Sequence, residues 1–519
     1  MEKENKVKDT ASDDGYCWWW LVQKGTTAVF ITVGLFALLV RVAVSLHPYS
    51  GAGNPPKFGD YEAQRHWMEI TINLPIKEWY RNSSNNDLRY WGLDYPPLTA
   101  YQSFIHGLFL KFFHPDSVAP FASRGHESYL GKLLMRWTVL SSDALIFFPA
   151  ALYFIIVYYN QSSRTRKSEL AWHTAVLLLS PCLILIDHGH FQHFVAFQYN
   201  CISLGFTIGA VAAILSGNDL VASVLYCLAL NHKQGMMSAY FAPSFFSHLL
   251  GKCLRRKYPI LEVSKLGLLV LGTFAAVWWP YLYSTQSILE VLSRLAPFER
   301  GIFEDYVANF WCASSILIKW KRLFTTESLK LLSLTATVIT CLPSMVQQIK
   351  SPSKRGFLYA LLNSSFSFYL FSFQVHEKSI LLPLLPATLL AVEEPFIFRW
   401  FTQFAMLSMF PLICRDNLVV PYLALLALFV LIMNAPGQHR VRESNYLGSA
   451  TMFLILCCYF VLHIVYLTMH PPEKYPFLFE AIIMNLCFSQ FVLVTLGCNI
   501  KQWLLNRPAK LEETEKKQI

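Results

Sequence analysis

Titratable side chains gather in four short stretches of this sequence, each bordering an apolar run. The densest reads FGDYEAQRHW at 58–67, followed by YWGLDYPPLTAY at 90–101. Asp60, Glu62, Arg65, His66 and Asp94 stand there among Tyr and Trp. A carboxylate so placed can take a proton from an alcohol, and aromatic platforms commonly hold sugar rings. In helical register Glu62, Arg65 and His66 share one face, at i, i+3 and i+4. A solvated amphipathic helix with internal ion pairs fits the charges equally well; the neighbouring Trp and Tyr favour a site. The second stretch is FQVHEKS at 373–379, where His376, Glu377 and Lys378 are consecutive. A plain polar turn fits it, and so does a phosphate site, since Lys is a point cation and His can donate. The third is APFERGIFEDYVANFWC at 296–312, with Arg300, Glu304 and Asp305. The fourth, IDHGHFQHF at 186–194, carries Asp187, His188, His190 and His193. That run invites a metal reading. It falls at the end of an apolar segment, where polar groups snorkel, so no metal is expected. Neither GxxxxGK[ST] nor GxGxxG occurs, and nucleotide binding is unsupported.

The elements that must carry these clusters are membrane helices. Of 519 residues 54% are hydrophobic and only 15% charged, against about 25% charged in soluble domains. The net charge of +10 is spread without a long basic tract, which gives nucleic-acid binding little support. Twelve Cys, mostly in apolar runs and without a CxxC pair, argue against a disulfide framework or a zinc site. The start, MEKENKVKDTASDD, is polar and of mixed sign, unlike a cleavable signal peptide. Apolar runs near the 20 residues that a span needs lie at 27–46, 134–158, 170–187, 200–216, 235–250, 264–284, 329–348, 357–374, 397–414, 418–434, 447–469 and 477–500. Two shorter runs, 219–231 and 380–393, bring the expected total to about fourteen. The run 98–113 is short and contains His106 and Lys111; it reads as a helix lying at the interface.

Parity supports that choice. With the N-terminus in the cytosol, the basic loops at Arg164–Lys167, Lys252–Lys257, Lys350–Arg355 and Arg440–Arg442 all fall on the cytosolic side. Lys319, Lys321 and Arg322 depart from the rule in a lumenal loop. The expected layout is a cytosolic tail 1–26, a membrane domain 27–500 and a cytosolic tail 501–519. Long lumenal loops cover about 47–133 and 285–328. Asn82-Ser83-Ser84 is an N-glycosylation sequon in the first of these loops. Two further sequons, at Asn160 and Asn363, fall on the cytosolic side and inside a span. The closing EKKQI resembles a dilysine retrieval signal, an address read in the cytosol.

Four long motifs carry a family resemblance: SGAGNPPKFGDYEAQRHW at 50–67, YWGLDYPPLTAY at 90–101, RGIFEDYVANFWC at 300–312 and FSFQVHEKSILL at 371–382. Over most of its length the chain resembles the dolichyl-phosphate-glucose-dependent α-1,3-glucosyltransferases of the endoplasmic reticulum. GDYEAQRHW and WGLDYPPLTAY are similar to the enzyme that adds the first glucose to the nine-mannose dolichyl-diphosphate oligosaccharide. The resemblance implies an all-α polytopic C-type glycosyltransferase fold with its active site at the lumenal membrane face. It implies no metal or other cofactor, a lipid-linked donor, dolichyl phosphate glucose, and inversion at the anomeric carbon. It points to Asp60 as the base, with His376, Lys378 and Arg300 for the donor phosphate. Asp94, Glu62 and Arg65 are further substrate-binding candidates. The sequence departs from the family at HGHFQHFVAFQYN (188–200), where six residues intervene before YN, and at Lys233-Gln234-Gly235-Met236, which has an added Gly. The alternatives are the homologous second-glucose enzyme, a lipid or solute transporter and a non-catalytic scaffold. Charges collected at one face in long loops fit an enzyme better than a transporter.

Overall fold

The computed structural model describes residues 25–47, 53, 55–56, 58–160, 167–184, 199–233, 238–295, 306–415, 417–434 and 446–505. Among them the regular structure is helical, apart from one isolated bridge between Ser83 and Asn86. Helix α1 (Thr26–Ser45) leads into a long loop that contains α2 (Gly59–Asn73) and α3 (Pro97–Phe113). Helix α4 (Tyr129–Ser142) passes through a π turn at Asp143–Phe147 into α5 (Phe148–Asn160). There follow α6 (Lys167–Ile184), α7 (Asn200–Ser216), α8 (Asp219–Leu230), α9 (Ala242–Cys253) and α10 (Pro259–Trp278). A second long loop holds α11 (Thr285–Leu295). The rest are α12 (Thr326–Lys350), α13 (Lys354–Phe371), α14 (Leu381–Leu389), α15 (Pro395–Arg415), α16 (Val419–Met433), α17 (Tyr446–Thr468) and α18 (Leu478–Leu504).

Each of the fourteen apolar runs coincides with a helix, α4 and α5 forming one continuous pass. Six of the passes are long and apolar enough to cross a membrane unaided: Thr26–Ser45, Tyr129–Asn160, Pro259–Tyr281, Thr326–Lys350, Pro395–Arg415 and Leu478–Leu504. Most of the others are shorter. Of the six, α15 is the most enclosed and α10 the least, as a helix facing lipid would be. The chain is an all-α polytopic membrane protein. Without a hydrophobic drive between helices in lipid, small residues and polar contacts set the packing. At Gly251, where α9 meets α12, a Cβ would lie 2.5 Å from the Gln348 carbonyl oxygen. One residue-turn away, His248 Nδ1 lies 2.9 Å from Gln348 Oε1.

With the alternation expected from the sequence, the connections sort to two ends. At one end Arg355 pairs with Glu393, Lys501 with Glu394 and Lys252 with Asp219. The other, the loop end, is tied by Arg81 to Glu290 (3.2 Å), Tyr101 Oη to the Val277 carbonyl (2.7 Å) and Trp278 Nε1 to Asn231 Oδ1 (2.7 Å). Helix α3 packs one side on α2 and leaves Ile105, Leu108, Phe109 and Phe112 exposed in a row. An apolar stripe with no protein partner suits a helix bedded in the membrane surface, as expected from its length.

Candidate functional site

Helix α2 is built around one cation. Phe58, in the left-handed region at φ 54°, turns the chain into the helix. Glu62, Arg65, His66 and Glu69 then fall on one face, at i, i+3, i+4 and i+7. Arg65 is 0% exposed. Its Nε and one terminal nitrogen donate to the two Glu62 oxygens, each at 2.7 Å, a bidentate fork. The same nitrogen reaches Glu69 Oε2 at 2.8 Å. The other donates to the Ser117 carbonyl at 2.9 Å and to Ser123 Oγ. Glu69 also accepts from the Phe121 amide at 2.9 Å. This hub fastens residues 117–123 to α2. Burial alone would raise the Glu69 pKa; His66, Arg65 and the Phe121 amide outweigh it and hold the carboxyl at about 2. His66 Nδ1 meets Glu69 Oε2 at 3.1 Å, while its buried Nε2 has no hydrogen-bond partner among the described residues.

The YWGLDYPP segment lies across this face. Tyr90 Oη donates to Glu62 Oε1 at 2.8 Å, and its ring meets His66 edge-on at 5.0 Å. Trp67 Nε1 donates to the Trp91 carbonyl at 3.0 Å and packs against Tyr95. From α11, Arg294 holds the carbonyls of Leu93 (3.0 Å) and Gly92 (3.2 Å). Asp94 follows directly, half-buried and within electrostatic reach of Tyr80. Asp60 is the second residue of α2; its side chain lies outside the described residues. So the structure places Glu62 and Arg65 on one face of α2 and holds the segment that carries Asp94 against that helix through Tyr90, Trp91 and Tyr95. Glu62 and Arg65 are enclosed and bonded to each other, so here they hold the loop rather than face a ligand. Glu69 and Arg294 were not singled out from sequence. The i+7 spacing could have found Glu69; no local signal marks Arg294.

A second group lies at the root of α3. The Lys233 amide donates to Thr99 Oγ1 at 2.6 Å, and its Nζ to Asn200 Oδ1. Lys233 itself is buried, in the left-handed region at φ 55°. His232 is buried, and neither of its ring nitrogens has a partner among the described residues. Burial, with Lys233 and His106 nearby, pushes its pKa down to about 3; burial pushes His106 down to about 4. The sequence reading noted Lys233 only for the added Gly and passed over His232, the residue just before the KQGM run.

The third group surrounds the Glu377–Ile380 turn, which packs on α14 and α15. His376 and Lys378 are half-buried on either side of the buried Glu377. The second long loop reaches this turn through Trp311, whose Nε1 donates to the Phe371 carbonyl at 2.8 Å. Arg300, Glu304 and Asp305 lie outside the described residues, as do Asp187, His188, His190 and His193. Asn82 is exposed on the first loop, and Asn363 is buried within α13.

Carboxylates, cations and aromatic rings thus collect at one end of a helical membrane body, which suits an enzyme acting on polar groups carried by lipids. The comparisons with known proteins narrow that class. Residues 37–497 match the ALG6, ALG8 glycosyltransferase family, and the chain belongs to that family. It is 63% identical over 514 residues to the "Probable dolichyl pyrophosphate Man9GlcNAc2 alpha-1,3-glucosyltransferase" of Arabidopsis thaliana, covering 97% of this chain and 95% of that protein. The Gallus gallus protein of that name, without "Probable", is 41% identical over 496 residues, covering 91% and 95%. The Saccharomyces cerevisiae one is 43% identical over 398 residues, covering 74% and 70%.

Proposed function

We propose that this chain adds the first glucose, in α-1,3 linkage, to the nine-mannose dolichyl-diphosphate oligosaccharide. The donor is dolichyl phosphate glucose and the place is the lumenal face of the endoplasmic reticulum membrane. The observation that carries the reading is the 63% identity over 97% of the chain to a relative named for that acceptor. The loop-end clustering of acids, cations and aromatics supports it.

The chemistry is one displacement. The mannose 3-hydroxyl attacks the anomeric carbon of a β-linked glucosyl phosphate from the face opposite the leaving group. Its proton passes to a carboxylate within hydrogen-bond reach, assigned to Asp60. The glycosidic electron pair leaves on dolichyl phosphate, already a stable anion, so no general acid is required. Cations lower the barrier by meeting that charge as it develops; His376, Lys378 and Arg300 have that role. Asp94, which follows the Gly92 and Leu93 carbonyls held by Arg294, orients the acceptor. No metal or nucleotide takes part.

The deciding assay offers the purified protein, with dolichyl phosphate glucose, two acceptors: the nine-mannose oligosaccharide and the same compound already carrying one glucose. Transfer to the first alone is expected. Preference for the second would assign the chain to the later step of glucose addition.

A further inference from the structure

At the loop end, α15, α17 and α18 leave a cavity of about 370 Å³ lined by Tyr306, Glu377, Ser408, Arg415, Tyr466 and Glu480, with Pro411, Leu412 and Cys414 beside them. At the ~30 Å³ that a liquid water occupies, it has room for about twelve waters, more than enough for one sugar ring. Small-molecule sites begin near this size and combine apolar walls with a few placed polar groups. Tyr466 Oη donates to Glu480 Oε1 at 3.0 Å. The other Glu480 oxygen is buried and accepts no hydrogen bond among the described residues. A buried carboxylate oxygen left in that state is unfavourable until a donor reaches it.

The lining also says which donor. Two carboxylates against one guanidinium disfavour an anion. A neutral ring bearing hydroxyls suits the lining: an O–H group donates to the open Glu480 oxygen, and Glu377 and Arg415 add an acceptor and a donor to the same wall. The faces of Tyr306 and Tyr466, with Pro411 and Leu412, offer apolar surface to the ring's C–H groups. We infer that the cavity is a subsite for one pyranose unit. The inference rests on the glucosyltransferase reading above, in which both substrates carry hexoses. The unit is therefore either the donor glucosyl group or an acceptor mannose. Glu377 lies between His376 and Lys378 in sequence, so a glucosyl group on a phosphate held there would be close to the cavity.

The test uses the full-length protein purified in detergent, with Glu480→Gln, Tyr466→Phe and the cavity-filling Ser408→Leu. For each, kcat and KM are measured separately for dolichyl phosphate glucose and for the nine-mannose acceptor. About a tenfold rise in one KM is expected, the effect of about 1.4 kcal/mol of lost binding, with kcat within about twofold. A rise for the donor places glucose in the cavity; a rise for the acceptor places a mannose there. Unchanged KM values for both substrates, in variants that keep the parent's thermal stability, would overturn the subsite. So would a loss of stability in Glu480→Gln with Ser408→Leu kinetically silent, which would make Glu480 structural. If the parent transfers glucose to neither acceptor, it is the glucosyltransferase reading that fails.

Discussion

Arg65 and Asp60 lie five residues apart on α2 and have different work. Arg65 satisfies two carboxylates, a carbonyl and a hydroxyl inside the protein. Breaking a buried pair from one side leaves uncompensated charge, at about 3–5 kcal/mol. Arg65→Met is therefore expected to lower the thermal unfolding temperature of the purified protein sharply, with activity lost as the loop detaches. An unchanged unfolding temperature would show that the hub does not hold the loop. Asp60→Asn keeps the shape and removes only the basic oxygen. Glucosyl transfer is expected to vanish while the protein accumulates in the membrane as before; near-normal turnover by purified Asp60→Asn would remove Asp60 from the mechanism.

Among the elements, α3 joins the first loop to the membrane body. Thr99 accepts from Lys233, Gln102 bonds His106, and Tyr101 reaches α10. The buried His232 and the half-buried His106 give this joint a pH dependence. His106 and His232 are held at about 4 and about 3, against an ordinary value of 6.5. Below about 6.5 the unfolded chain takes up protons that the folded one does not, so stability falls on acidification. Glu69 acts further down: its contribution is present above the ordinary 4.5 and is lost as pH falls toward about 2. Between about pH 7.5 and 5 the histidine part alone operates. Thermal unfolding in detergent is expected at a lower temperature at the acid end, with a smaller drop in the His106→Gln, His232→Gln double variant. A parent profile flat across that interval would contradict the burial assigned to these rings.

For the whole molecule, the alternation expected from the sequence would put both termini on the side opposite the first loop. A C-terminal tag is expected to be reachable by antibody after selective opening of the plasma membrane alone. Asn82, exposed on the first loop, is expected to lose a glycosidase-sensitive mass shift in Asn82→Gln. A tag reached only after the reticulum membrane is opened would break the alternation. Such a result would move the loops that follow the error, though not the first loop, whose side depends only on α1.

The sequence by itself showed that the chain is built of apolar helices, their order and where the polar clusters stand between them. A long apolar run has few places to go but across the bilayer, and alternation then places every connection. It also showed that α2 carries charge on one face, because helical spacing is local. Tertiary packing alone decided what those charges do. Arg65 is enclosed because residues 117–123 fold over it; the Leu93 carbonyl, just before Asp94, is held by Arg294, 201 positions further along the chain. Lys233 meets Thr99 across 134 positions, and the cavity exists only where α15, α17 and α18 end together. Side-chain spacing reports the face of one helix. Which faces meet depends on how the helices cross, and no single stretch of sequence records that.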